Sequence, residues 1–173
     1  MTGWWRKNAV GLAAVVVLLP VTFGAIAWQE WGGYYSFRPS QPVVVEPGDN
    51  LEFADAMFGP ATARFYDDPD APAGSRVVRV RIPVEPGETE LQCSPPLLRE
   101  ATGAQRQWDE ASSALGRGLD DDRTLCYSDS SEPFEFVLEY LVPSDSTGPF
   151  YADVELSGEI PRFVRLTLEP EGL

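Results

Sequence analysis

Histidine is absent from the sequence, and lysine occurs once, at Lys7. Without histidine there is no Ser-His-Asp triad, no Cys-His pair, no imidazole metal ligand and no imidazole acid or base. Cysteine is scarce, with Cys93 and Cys126 the only two. Bases are outnumbered: 13 Lys and Arg stand against 27 Asp and Glu, a net charge of -14. That balance argues against a nucleic-acid partner, because phosphate neutralisation needs clustered cations. Charge as a whole is not lacking, and 43% of residues are hydrophobic and 12% aromatic, too many for a disordered chain. In 173 residues, Gly 15 and Pro 16 suit turns and short strands better than a helical bundle. The length fits one domain, or one domain and an anchor.

What is present divides unevenly. Every acid lies at Glu30 or later, so residues 30–173 carry 11 basic and 27 acidic residues, net -16. Between Lys7 and Glu30, the 22 residues from Asn8 to Gln29 have no formal charge. At ~1.5 Å per residue they make a helix of about 33 Å, enough for a bilayer core of roughly 30 Å. Trp4 and Trp5 flank one end, and Trp28, Trp31, Tyr34 and Tyr35 the other, as interfacial aromatic belts do. Arg6 and Lys7 place the N-terminus in the cytoplasm by the positive-inside rule. The expected organisation is a cytoplasmic stretch (1–7), a transmembrane helix (8–29), a linker (30–42) rich in Gly and Pro, and an extracytoplasmic domain (43–173). The competing reading is a signal peptide ending at residue 27, with Ala25-Ile26-Ala27 as the small-x-small site and Pro20 breaking the helix ahead of it. The apolar run exceeds the ~7–15 residues of a signal h-region, which favours a retained anchor in the cell membrane. Arginine in place of lysine, with abundant Ala, Gly, Val and Pro, is a compositional mark of a high-GC bacterial source.

Beyond the linker, period-two patterns predict strands. Val78, Val80, Ile82 and Val84 alternate with Arg79, Arg81 and Pro83. Phe134, Phe136, Leu138 and Tyr140 alternate with Glu135 and Glu139, which are expected to face water and to pair with Arg79 and Arg81 across the sheet. Shorter candidates are Val43 to Val45, Leu51 to Phe58, Ala61 to Tyr66, Leu91 to Leu98, Gln105 to Trp108, Phe150 to Leu156 and Phe163 to Leu168. Pro83 and the Pro95-Pro96 pair suggest edges or bulges. Short strands with frequent turn signals predict an all-β antiparallel sandwich. The stretch from Asp109 to Asp122 has little pattern beyond one helical turn at Ala111 to Leu115.

An even cysteine count outside the cytosol favours a Cys93–Cys126 disulfide, closing the weakly patterned stretch between them. A redox pair lacks its C-x-x-C spacing, and two cysteines without histidine make a poor metal site. The order Cys93, Trp108, Cys126 suggests an antibody-type domain, but Thr124 stands where a tyrosine corner needs Tyr. The acidic runs Asp67-Asp68-Pro69-Asp70 and Asp120-Asp121-Asp122 invite calcium, yet neither fits an EF-hand; Leu125 stands where the latter would need Gly. Ser112-Ser113 and Ser130-Ser131 have no activating base. No two carboxylates carry a local glycosidase signature. No catalytic residue, metal ligand or cofactor is assigned.

The run from Cys93 to Gly103, Trp108, the second cysteine, Phe134 to Pro143, the closing Pro161-Arg162-Phe163-Val164-Arg165-Leu166 and Trp5-Arg6-Lys7-Asn8 before the apolar span together resemble an uncharacterised family of membrane-anchored actinobacterial proteins. That family is in turn similar to the telokin-like, immunoglobulin-like extracellular domains of bacteria. The resemblance covers most of the chain and implies a fold and a location, with no catalytic motif to carry over. The expectation is therefore a non-enzymatic, single-pass envelope protein with an immunoglobulin-like β-sandwich and an envelope protein as partner. The alternatives are a secreted ligand-binding domain released after Ala27 and a carboxylate-dependent envelope enzyme.

Overall fold

The computed structural model describes residues 2–36, 38–117, 124–126 and 132–172. The chain divides into two compact units, residues 1–38 and 39–173. The first is one helix, α1 (Thr2–Ser36), 35 residues long and unbroken at Pro20. Its apolar side chains are exposed, Val10 at 85% and Phe23 at 70%. By length and composition it can cross a membrane. It also runs through Trp31-Gly32-Gly33-Tyr34, part of the stretch read as linker. Glycine costs a helix only about 1 kcal/mol each, and the first residue to forbid its continuation is Pro39.

The second unit is all-β. Among the described residues its strands are β1 (Gln41–Val45), β2 (Leu51–Phe53), β3 (Ala56–Phe58), β4 (Thr62–Tyr66), β5 (Ser75–Pro86), β6 (Leu97–Glu100), β7 (Gln107–Trp108), β8 (Phe134–Pro143), β9 (Phe150–Val154) and β10 (Arg162–Leu168). One sheet has the order β1-β10-β9-β6-β7. The other runs β2-β3-β5-β4, with β8 along the opposite edge of β5. All pairs are antiparallel except β1 with β10, which are parallel from Gln41–Arg162 to Val45–Leu166. The expected all-antiparallel pairing therefore fails at the β1 edge, and again at the β4 edge, where Arg64 makes a parallel bridge with Glu171. Period two fixes which face of β1 is buried but says nothing of which neighbour it takes.

Both sheets contribute to one core. Val78, Val80, Ile82, Phe136, Leu138 and Tyr140 come from the second sheet, and Leu98, Phe150, Ala152, Val164 and Leu166 from the first. The Tyr140 hydroxyl, fully buried, donates to the Pro96 carbonyl at 2.7 Å, which satisfies its polar tip.

Two readings of proline and turn signals are corrected. Pro83 lies in the middle of the longest strand, with β8 on one side. On the other side β4 pairs as far as Arg81 and β3 begins at Val84. The Pro83 carbonyl accepts from Gly59 N at 2.9 Å, so its ring nitrogen faces the same β3–β4 connection, where no ladder donor is needed. The single strand expected from Leu51 to Phe58 is a hairpin. It turns at Ala54 and Asp55, both with positive φ (51° and 60°), without the Asn or Gly such turns favour.

Asp55 explains its own placement. Its carboxylate accepts from Glu88 N at 2.8 Å and from Thr89 N at 3.1 Å, and these backbone donors hold the carboxyl below its usual range. Gly87 must pass beneath it: a Cβ there would lie 2.0 Å from the Asp55 carbonyl oxygen. Gly87→Ala is expected to cost roughly 1–3 kcal/mol by overpacking. Gly158, with nothing within 4 Å of its Cβ position, is the control. Thermal melts of the two variants should separate clearly.

Candidate functional site

Cys93 and Cys126 are joined in a disulfide, with Cα atoms 5.3 Å apart. Cys93 forms isolated bridges to both Cys126 and Leu156, so the bond is made between neighbouring segments. Strand structure is confined here to that bridge, and the extended run expected from Leu91 starts only at Leu97, after Pro95-Pro96. In the chain-entropy model, breaking the bond costs about 3–4 kcal/mol. The Cys93→Ala/Cys126→Ala chain should melt lower by that amount, and non-reduced peptide mass spectrometry of the native chain should recover the two halves linked. Free thiols at both positions would refute the bond.

A charged cluster lies on the outer face of the second sheet. Arg64, Arg79 and Glu139 form one row across β4, β5 and β8. Arg79 meets Glu139 Oε1 through Nε at 2.9 Å and Nη2 at 2.6 Å. Tyr66 donates its hydroxyl to the same oxygen. Arg117 adds Nη1 at 2.8 Å from Oε1. Its Nε lies 2.8 Å from Oε2, a charge contact without hydrogen-bond geometry, so Oε2 itself accepts no hydrogen bond from the described residues. Asp68 closes the cluster on Arg117 Nη2. Arg81 reaches Glu135 at 3.1 Å, one step along the sheet and largely in water.

The expected pairing of Arg79 and Arg81 with Glu139 and Glu135 is therefore present, but Glu139 does not face water: its exposure is 0%. The cover comes from the segment 109–117, whose Ala111 N bonds the Glu139 carbonyl at 2.7 Å and whose Ala111, Ser112 and Leu115 are buried. Arg117 locks that segment down. Burial pushes the Tyr66 hydroxyl up to about 12, with its bond to Glu139 adding to the shift. The phenol is held protonated, and the carboxylate is paired with two guanidinium groups although its Oε2 accepts no hydrogen bond from the described residues. The cluster works as a clasp.

The first sheet carries a similar clasp. Asp153, 3% exposed, takes a two-pronged bond from Arg165, Nε and Nη2 each at 2.7 Å, with Arg99 Nε at 3.4 Å. Of the acidic runs weighed for calcium, Asp68 is spent on Arg117 and on Asp70 N, while Asp120-Asp121-Asp122 lies outside the described residues. Among the described residues no group of three or more metal-ligating side chains converges. Ser112 Oγ is buried without a partner among the described residues, and Ser130-Ser131 lies outside them. Ser94, Pro95, Leu97, Asp109, Glu110 and Glu155 line a hollow of about 330 Å3. Burial raises the Glu155 carboxyl above its ordinary range, helped by the negative charge of Asp153.

Sequence patterns marked Cys93, Cys126, Arg79 and Arg81. They missed Arg64, Tyr66 and Arg117. The first two lie at alternate positions of a strand that was expected, so their shared face was open to reading. Arg117 sits in an aperiodic stretch that carries no such signal.

No protein-family model and no curated protein matches this chain.

Proposed function

We propose that this chain is a single-pass membrane protein of the cell envelope, with its N-terminus in the cytoplasm and its β domain outside. The domain, of immunoglobulin-like type, serves as a non-catalytic interaction or accessory module for an envelope protein partner. One observation carries this reading: a helix able to span a membrane, with Arg6 and Lys7 at one end and every acid beyond Gln29, precedes a disulfide-bonded β domain. Cysteines survive as disulfides in oxidising compartments, and Arg6 and Lys7 ahead of the apolar span agree with an N-terminus inside. The two clasps support a non-catalytic role, since Glu139 and Asp153 are both spent on arginines.

Retention of the anchor is favoured by an apolar run longer than a signal h-region and by the aromatic belt that continues past Ala27. N-terminal sequencing of the mature protein tests it. The expected sequence begins ahead of Trp28, whereas a start at Trp28 would make this a released, ligand-binding domain.

A carboxylate-dependent hydrolase is the second reading, favoured by one observation: Asp109, Glu110 and Glu155 around one hollow, with the Glu155 carboxyl raised as a general acid requires. Turnover of envelope glycans that disappears in Glu155→Gln would establish it in place of the module.

A further inference from the structure

In a domain where acids outnumber bases by more than two to one, every cation has carboxylates to choose from. Arg76, Arg79, Arg81, Arg99, Arg106, Arg117, Arg162 and Arg165 each have an ion pair or a hydrogen bond. Among the domain's described residues Arg64 alone among the arginines has neither, and it stands directly opposite another arginine, Arg79, in the β4–β5 register. Like charges facing each other across strands are destabilising unless something lies between them or beside them.

Arg64 also has acids in view. It lines a groove of about 760 Å3 with Arg79, Arg81 and Thr62 on the strand side and Glu169 and Glu171 on the side of the C-terminal segment. The position of that segment is fixed by backbone bonds, Glu171 N to the Ala63 carbonyl and Phe65 N to the Glu171 carbonyl, each at 3.0 Å. Yet neither glutamate comes within ion-pair distance of Arg64, nor has either an ion pair elsewhere among the described residues. Glu171 is the bridge partner of Arg64, so the two stand side by side at the rim of the groove without forming an ion pair. Pro47, Pro60 and Ala61 supply its apolar surface. The volume is that of a site for a small organic molecule, too large for a lone ion.

A ligand that fills a groove lined by both signs brings an anionic group to guanidinium and hydroxyl donors to carboxylate. We propose that this groove binds an acidic saccharide, with its carboxylate or phosphate on Arg64 and Arg81 and its ring hydroxyls on Glu169 and Glu171. Arg79, already engaged by Glu139, contributes charge without needing to move. The inference deepens the interaction-module reading by giving that module a ligand class. It rests on the extracytoplasmic placement only for where the ligand is met.

Calorimetric titration of the full chain in detergent micelles tests it with four probes: tetragalacturonate, glucose 6-phosphate, neutral maltotetraose and inorganic phosphate. An acidic sugar should bind, and the first two probes tell carboxylate from phosphate. Maltotetraose should not bind, and inorganic phosphate should bind at least tenfold more weakly than the better acidic sugar. Arg64→Gln should weaken that sugar by about tenfold or more, the worth of a hydrogen bond to a charged group. Glu169→Gln/Glu171→Gln should weaken it as well. All three positions are at the surface, so unchanged melting temperatures will show that the variants fold. Equal binding of bare phosphate, or undiminished binding by the glutamate variant, would reduce the groove to a plain anion site and overturn the proposal. So would the absence of binding at millimolar sugar, or an Arg64→Gln chain that binds as well as the parent. None of these results depends on membrane orientation, so a failure here is separable from a failure of the topology.

Discussion

Glu139→Ala is expected to destabilise the domain by about 3–5 kcal/mol, the range for breaking a buried ion pair from one side. Alanine would leave Arg79 and the Tyr66 hydroxyl without their shared acceptor and would release Arg117 from the sheet. The arginine side chains remain 35% and 30% exposed, so water can take over part of their solvation, which places the effect toward the lower end. Two neighbours provide the contrast. Glu135→Ala removes an ion pair whose partners are 51% and 37% exposed, worth at most about 1 kcal/mol. Arg117→Gln should cost less than Glu139→Ala but should selectively expose the 109–117 segment to proteolysis, because Arg117 ties it to Glu139 and Asp68. Equal melting temperatures for Glu135→Ala and Glu139→Ala would show that the clasp contributes nothing.

Phe136→Ala is the second large effect, about 3–5 kcal/mol for a buried phenylalanine. Phe136 is fully buried, stands opposite Ile82 in the register and packs edge-on against Phe134 with ring centroids 5.3 Å apart. Its strand is 10 residues long and pairs along nearly its whole length with the longest strand of the domain. The cavity therefore opens in the middle of the core, where neither β5 nor the facing sheet can collapse into it cheaply. Such a loss is a large share of the ~5–15 kcal/mol that stabilises a typical domain. A Phe136→Ala domain that melted with the parent would overturn the assignment of faces on β8.

The contrast between Phe136 and Glu139 on one strand says what the sequence could convey. Alternation placed Phe136, Leu138 and Tyr140 on the core face, where they are. The same alternation put Glu139 on the far face, which is also correct, but a far face is wet only if nothing covers it. The cover is the 109–117 segment, whose course follows no period and so leaves no trace in the pattern. Asp153 is the parallel case on β9, lying on the outward face yet buried beneath Arg99 and Arg165. The Ala54-Asp55 turn was illegible for a different reason: its positive φ values are held by Asp55 bonding Glu88 and Thr89, more than thirty residues away. Pro83 misled because a proline is excluded from a ladder only where its nitrogen faces a partner, and the β3–β4 gap removes that partner. The disulfide, by contrast, followed from the even cysteine count and the expected compartment.

The orientation of the domain is the claim on which the proposed function depends, and one measurement reaches it. The loop at Pro69 to Gly74 is largely exposed and lies between β4 and β5, so a recognition sequence for a site-specific protease can be inserted there. Intact spheroplasts carrying the chain are then treated with that protease, which cannot enter. Complete cleavage at the inserted site without lysis is the expected result. A chain that stays whole until detergent opens the membrane, and is cut only then, would put the domain in the cytoplasm and contradict the account.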